Sequence, residues 1–519
     1  MKLYSREEEL KASLIKGAEQ IASIVSSTLG PNGCPVILKA KGEKPLITKD
    51  GVTVARFTTY EDPFENVAAS IIKQASEETN TTCGDGTTTT TILASAIFKE
   101  SQKYISLGIS PYKLKREIDV VVEKIVTQIA ELAKPIGSLK EIRDIARISA
   151  NNDSKIGDLV ADAIDQIGRD GAITIEEARS LETTLEIAEG YRFDSGYVAK
   201  DFITDTKNGL AKLDNPYILV TDESIDNIKS IAKILETVAR DESSIVLIAN
   251  DFGKEVLSTL LINHIRGTIK NVAIKAPRYG EERRAILEDI ALATGSTFIN
   301  KLAGLKVSAV ELKDLGRAKS IEISSTETII AEANGEQGKI EEQVEKLKSL
   351  IKQTNNMKEA ERIQDRINQL SAAVGIIKVG GRTEVEVTEK KFRIEDALEA
   401  AKSAIEEGIV PGGGTTYLRA ILDINDHSDV EYGYKIVYNA VMEPLKIMAA
   451  RTKDTSERQI FNKLTNDDTS GYDFANEEFV DDMFEIGIVD PAKVLKYALR
   501  NAASAATTLL ITNHAAIEE

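Results

Sequence analysis

Apolar positions recur at three- and four-residue spacing through the first 27 residues, and Ser5 with Glu8 has the spacing of a capping box. The pattern predicts a helix that ends near Ser27. Thr28-Leu29-Gly30-Pro31-Asn32-Gly33 stops it, because two glycines and a proline interrupt helical backbone. PVILKA and PLITKDGVTVA then read as short strands with glycine turns nearby. Helical spacing returns from about Phe64 to about Asn80, breaks at Cys83-Gly84-Asp85-Gly86, and resumes through ILASAIFKES.

From about Tyr217 to Asn300 the texture changes. The apolar runs YILVTD, SIVLIAND, VAIKAP and STFIN alternate with amphipathic helical stretches, an α/β pattern that predicts a separate domain. Ile340, Val344, Leu347 and Ile351, then Ile363, Ile367 and Leu370, keep helical spacing on either side of Asn355-Asn356. This predicts an antiparallel helical hairpin with its many charges on a solvated face. After IIKVGGRTEVEVTEKKF the chain turns helical at Ile394 and stays mostly so. Helical ends around an α/β middle imply one helical domain assembled from both termini, with the middle inserted into it. No repeat of solenoid length is present.

Composition narrows the function. A chain of 519 residues, 42% hydrophobic and 29% charged, fits a soluble protein of two to four domains. No stretch approaches the roughly 20 apolar residues of a membrane span. MKLYSREEELKAS lacks the apolar core of a signal peptide. The net charge of −18 opposes phosphate backbones, and no basic face offsets it, so nucleic acid is not an expected partner. Two cysteines (Cys34 and Cys83) exclude a disulfide framework and a Cys-rich zinc site, and three scattered histidines (His264, His427 and His514) leave little room for a His-based triad or metal cluster. The expectation is a soluble, cytoplasmic protein whose chemistry rests on carboxylates and hydroxyls.

Gly84-Asp85-Gly86 followed by Thr87 to Thr91 is the strongest local signal. Glycines allow a tight turn and close approach to a ligand. Hydroxyls and free N–H groups at a helix start suit phosphate, and an aspartate beside them suits Mg²⁺. A helix start capped by Thr fits the same spacing equally well. Thr28 to Gly33 reads as a second cradle or a helix stop, and Lys49-Asp50-Gly51 as a charged site or, more simply, a hairpin turn. Glu395-Asp396 reads as a helix start favoured by the macrodipole, and Asp490-Pro491 as another. Gly412-Gly413-Gly414 permits close approach to a flat ligand or a flexible connection. Together these turns supply what phosphate hydrolysis requires: anion-binding backbone, a carboxylate for Mg²⁺ and another for water. Between Lys254 and Arg266 the apolar residues Val256, Leu257, Leu260, Leu261, Ile262 and Ile265 cover an arc far wider than one core face needs. Such a helix is either buried on several sides or exposes an apolar face to partners.

TLGPNG, ITKDGVTVA, EDPFENVAAS, GDGTTTTT, IKAPRYGEERRAILEDIA, IEDALEAAKSAIEEGIVPGGG and GIVDPAKV, in this order, resemble the motifs of group I chaperonins of the GroEL-like bacterial type, over essentially the whole chain. The resemblance implies a multidomain α and α/β subunit. A mostly helical equatorial ATPase domain would comprise 1–131 and 407–519, a small α+β intermediate domain 132–188 and 375–406, and an α/β apical domain 189–374. It implies ATP as ligand, with Mg²⁺ on Asp85 and K⁺ on the backbone of Thr28 and Lys49. Thr28, Leu29, Gly30, Pro31, Gly86, Thr87, Thr88, Thr89, Gly413, Asp473 and Asp490 would surround the nucleotide. Asp396 would swing in to orient the attacking water, with Asp50 assisting. Tyr197, Phe202, Leu235, Leu257, Leu261 and Ile262 would bind non-native polypeptide, and a co-chaperonin lid would share that surface. The implied assembly is a homo-oligomeric, seven-membered ring, single or double.

Departures from the family pattern accompany the likeness. Asp201 and Ala232 stand at usually apolar groove positions, and Asp473 stands where Asn is usual. Ser195 replaces an Arg that would pair with Glu384 of a neighbouring subunit, while Asp153 and Arg393 keep a latch between the hinge segments. Lys446 to Asp468, where the family's rings meet, matches poorly. Two functions remain open: an ATP-driven folding chaperonin, favoured by the retained Asp50, Asp85 and Asp396, and an ATP-independent holdase or scaffold on the same fold.

Overall fold

Long helices from both ends of the chain pack on one another: Glu7–Ser26, Pro63–Cys83, Thr87–Ser106 and Pro111–Leu132 from the first part, Ala492–Ile511 from the last. The computed structural model describes residues 2–40, 45–168, 171–178, 180–206, 208–353, 357–370, 373–424, 427–453, 455–465 and 470–518. The chain divides into two compact units, one of Met1–Asp165, Glu177–Glu182 and Val379–Glu519, the other of Gln166–Glu176 and Thr183–Lys378. Helical ends and an inserted middle are therefore present. Among the described residues no helix is long and apolar enough to cross a membrane.

In the first unit Leu10, Leu14 and Ile21 meet Leu93, Ile97, Ile118 and Val121 in one buried cluster. The helix Ala492–Ile511 joins it with Ala502, Ala503 and Ala506, whose small side chains let helix axes approach closely. Three local expectations fail here. Ser5 stands in the strand Lys2–Arg6, paired antiparallel with His514–Glu518, and not at the start of the helix Glu7–Ser26. Strand pairing captures the backbone that a capping box would have used. GVTVA is not strand but the start of the helix Gly51–Phe57, because Asp50 accepts from the Val52 and Thr53 amides and nucleates it against β-branched propensity. The long helix Glu384–Glu407 begins ten residues before Ile394, capped by Thr383.

The second unit is built on a mixed sheet, nine-stranded among the described residues. Tyr217–Val220, Ile245–Ala249 and Asn271–Lys275 run parallel, with Tyr217–Val220 and Ile245–Ala249 buried at every position and Asn271–Lys275 at all but its last. That is the expected α/β alternation, with the helices Lys254–Ile265 and Gly280–Thr294 packed against these strands. STFIN contributes only a bridge, Ile299 to Thr221. Antiparallel strands Thr184–Phe193, Gly316–Ile323, Thr328–Ala333 and Ala373–Val379 extend the sheet. The helical hairpin forms from Gln337–Gln353 and Met357–Leu370, with Val344, Leu347, Ile367 and Leu370 buried. Its turn at Asn355-Asn356 lies outside the described residues. Not all of its charges are solvated. Arg366 donates through Nε and Nη2 to the buried Asp289, at 2.6 and 2.9 Å.

Candidate functional site

The helix Thr87–Ser106 starts at Gly86, which has φ +87° and no side-chain cap. Gly86 itself offers no side chain to the first amides of the helix. A Cβ at Gly86 would also lie 2.6 Å from Val494, so glycine serves both the turn and the packing. The threonine run divides in two. Thr90 and Thr91 are fully buried and bond back to the Gly86 and Thr87 carbonyls at 3.0 Å. Thr87, Thr88 and Thr89 instead line a cavity of about 320 Å³. Asp85, before the helix, accepts from the Gly86 amide at 2.5 Å and from Ser149 Oγ at 3.3 Å.

A second helix start converges on the same place. Gly51 lies so close to it that a Cβ there would stand 2.3 Å from Thr88 Oγ1 and 2.9 Å from Thr87 Oγ1. Asp50 is that helix's cap, with Thr53 Oγ1 donating to it at 2.5 Å, and not the corner of a hairpin. The hydroxyl oxygens of Thr28 and Thr88 are 3.5 Å apart, which brings in the Thr28–Pro31 loop. The uncapped start of Thr87–Ser106 and the hydroxyl-rich loop suit an anion, while the second helix start spends its Val52 and Thr53 amides on Asp50 and so brings a carboxylate to the cavity.

The remaining wall comes from the last third of the chain. Gly413 and Gly414 adopt φ +64° and +78°, conformations that glycine alone takes without strain, and lead into the helix Thr415–Leu422. Asp490 sits in the strand Val489–Pro491, paired with Ile409–Pro411. Its carboxyl is raised to about 7 by burial and, secondarily, by the negative charge of Asp85. Two acids held this close mark a place where a cation would be welcome. The described residues contain no group of three or more His, Cys, Asp or Glu disposed around a metal. A divalent ion here would therefore complete its shell with non-protein oxygens, as Mg²⁺ commonly does with phosphate and water. Asp473 spends its carboxylate on its own turn, accepting from the Ala475 and Asn476 amides at 2.7 and 3.1 Å and from Asn476 Nδ2 at 2.8 Å.

Asp396 also lines the cavity. It is not at a helix start but in the middle of Glu384–Glu407, so the macrodipole offers no reason for an acid there. One turn earlier Arg393 donates to Asp153 at 3.0 Å and to Glu389 at 2.9 Å, so the expected latch is formed. All fifteen positions expected to bind nucleotide or act on it, from Thr28 to Asp490, border this one cavity. Ile148, Ser149, Asn151, Asn152, Phe392 and Met448 border it too, and the sequence reading missed them. The one local signal among them is Asn151-Asn152, with φ +57° and +69°, a conformation asparagine tolerates.

The TCP-1/cpn60 chaperonin family matches residues 21–516. The chain belongs to that family. A chaperone role comes with this membership, and the group I motifs stand within it. The chaperonin gp146 from the bacteriophage EL 2 (Pseudomonas aeruginosa), crystallised in the presence of ATP-BeFx, is similar over 100% of this chain and 99% of its own, at 23% identity and a TM-score of 0.69. Its other crystal form gives 22% identity and a TM-score of 0.64 over the same spans. These likenesses establish the chaperonin fold.

The six apolar positions expected to bind polypeptide in this chaperonin separate by depth. Phe202 is fully buried and Leu235 is buried in the core of the second unit. Tyr197, Leu257 and Leu261 are partly buried against that core. Ile262 is 48% exposed and the neighbouring Ile265 68% exposed. The helix Lys254–Ile265 fully buries only Val256 and Leu260, so its wide apolar arc does leave a face in water. Phe202 and Leu235 belong to the core and are not part of that face.

Proposed function

We propose that this chaperonin binds and hydrolyses ATP and uses that cycle to drive folding of non-native polypeptide. The observation that carries the reading is the convergence of the fifteen motif positions, drawn from segments as far apart as Thr28 and Asp490, on one cavity. A family member that had abandoned nucleotide would have no constraint holding Asp50, Asp85 and Asp396 around it together.

In this reading the amides and hydroxyls of Thr87, Thr88 and Thr89 receive the phosphates. Mg²⁺ bound with the nucleotide would neutralise phosphate charge, with Asp85 as its protein ligand. Thr28 and Lys49 would give backbone oxygens to K⁺. Asp396 orients the attacking water and takes its proton, and Asp50 assists from the other helix start. Gly413, Phe474 and Asp490 take the base and ribose side. We assign 1–131 with 407–519 to an equatorial domain, 132–188 with 375–406 to an intermediate one and 189–374 to an apical one. Homo-oligomeric rings, heptameric as in the family, and a co-chaperonin lid complete the proposal, with clients captured on the Ile262 face.

The test is Mg²⁺-dependent ATP hydrolysis by the full chain, alongside the Asp396→Ala variant. ATP binding should survive in the variant while turnover falls about 100-fold, the scale of a lost general base. Absence of ATPase from the unmodified protein, with aggregation of an unfolded client still suppressed, would replace this reading by an ATP-independent holdase.

A further inference from the structure

We propose that Arg451 is a positioning residue for the nucleotide site, bracing the Thr28–Pro31 loop in its ligand-receiving shape; this rests on the nucleotide reading above. The helix Glu7–Ser26 that delivers this loop has no basic residue in its last turn. Its terminal carbonyls therefore lack the local cation that commonly satisfies a helix C-terminus. Arg451 supplies one from 425 residues away, donating through Nη2 to the Ser26 carbonyl at 2.8 Å and through Nη1 to the Leu29 carbonyl at 2.7 Å. A planar fork with two donors at fixed separation suits two carbonyls on successive turns, and a lysine ammonium cannot reproduce it.

Neighbouring residues extend the brace. Met448, one helical turn before Arg451, lies where a Cβ on Gly30 would come within 3.0 Å of it. Two residues beyond Arg451, the Lys453 amide donates to Glu477 at 3.0 Å, next to the turn that places Asp473 and Phe474 in the cavity. Asn32 Nδ2 donates to the Phe474 carbonyl at 2.8 Å, joining that turn directly to the loop. The stretch from Met448 to Lys453 thus grips two cavity walls at once. Arg451 itself does not border the cavity, so its influence passes through the loop.

Arg451→Met and Arg451→Lys in the full chain test this. The readouts are binding of a fluorescent ATP analogue with Mg²⁺, steady-state ATP hydrolysis, and hydrogen exchange of the amides from Ser27 to Cys34 without nucleotide. In Arg451→Met the dissociation constant and KM should rise about tenfold, with kcat changed less than about twofold, and Arg451→Lys should recover about half of the logarithmic loss. Exchange should quicken between Ser27 and Cys34. Unchanged affinity and exchange in Arg451→Met would overturn the proposal. A parallel collapse of kcat and affinity would also overturn it, since that marks general damage and not loop positioning. If the unmodified chain bound no nucleotide, the nucleotide reading would fall and the exchange arm would still judge the brace.

Discussion

Gly51 and Thr88 touch across two helix starts: a Cβ on Gly51 would stand 2.3 Å from Thr88 Oγ1. Gly51→Ala therefore forces Thr88 to turn its hydroxyl out of the cavity, since the Thr88 backbone is held by its own helix. We expect nucleotide affinity to fall at least about tenfold while the melting temperature drops only a few degrees. Titration with an ATP analogue and thermal unfolding of the same samples check this. Unaltered affinity would mean that the Thr88 hydroxyl does not face the ligand.

Arg366 and Asp289 form a buried ion pair in the second unit, with the Asp289 side chain fully enclosed. Arg366→Met leaves that carboxylate unpaired, a change that costs about 3–5 kcal/mol at buried pairs. Local unfolding should be seen as faster hydrogen exchange in the hairpin helices Gln337–Gln353 and Met357–Leu370. The double variant Asp289→Leu with Arg366→Met should restore protection, because no charge is then stranded.

The depth of the apolar positions predicts two different outcomes in the second unit. Ile262→Ser should alter stability by no more than about 0.5 kcal/mol and weaken capture of a chemically unfolded protein. Phe202→Ser should cost several kcal/mol, because it removes a large side chain from a closed core and buries a hydroxyl. Equal stability loss from both substitutions would refute the assignment of Ile262 to an open face.

His264 gives the same region a pH dependence. Its Nδ1 accepts the Asn271 amide at 3.4 Å, and its ring lies edge-on to Phe202 with centroids 5.5 Å apart. Burial, helped by the Lys270 charge, holds its pKa below the ordinary value. A depressed pKa means the folded state favours neutral imidazole. The corresponding stability is complete above the unfolded value of about 6.5 and is lost as pH falls through the lower folded value. Comparing His264→Gln with the unmodified chain from about pH 7.5 to about pH 5, the difference in stability should narrow or reverse in acid.

The glycine turns of the site were legible because their cause is local. A left-handed turn before a helix selects glycine whatever surrounds it, as at Gly86, Gly413 and Gly414. Asp50 and Asp396 were legible as residues but not as structures. One reads as a hairpin corner and caps a helix, and the other reads as a helix start and lies mid-helix. In both cases the local pattern fitted two conformations and long-range packing chose between them. Phe202 and Ile262 are equally apolar in sequence, and only the sheet beneath them decides which is core and which is surface.

By itself the sequence determined the helical ends, the α/β middle, the membership of a family and the residue types that could meet a phosphate, because periodicity, backbone freedom and side-chain chemistry act over a few residues. Only the tertiary structure decided that Thr28, Asp85, Asp396 and Asp490 share one cavity, and that Arg451 reaches the end of a helix formed at the other end of the chain. Those contacts join residues hundreds of positions apart. They exist through the burial of cores that no local stretch of sequence contains.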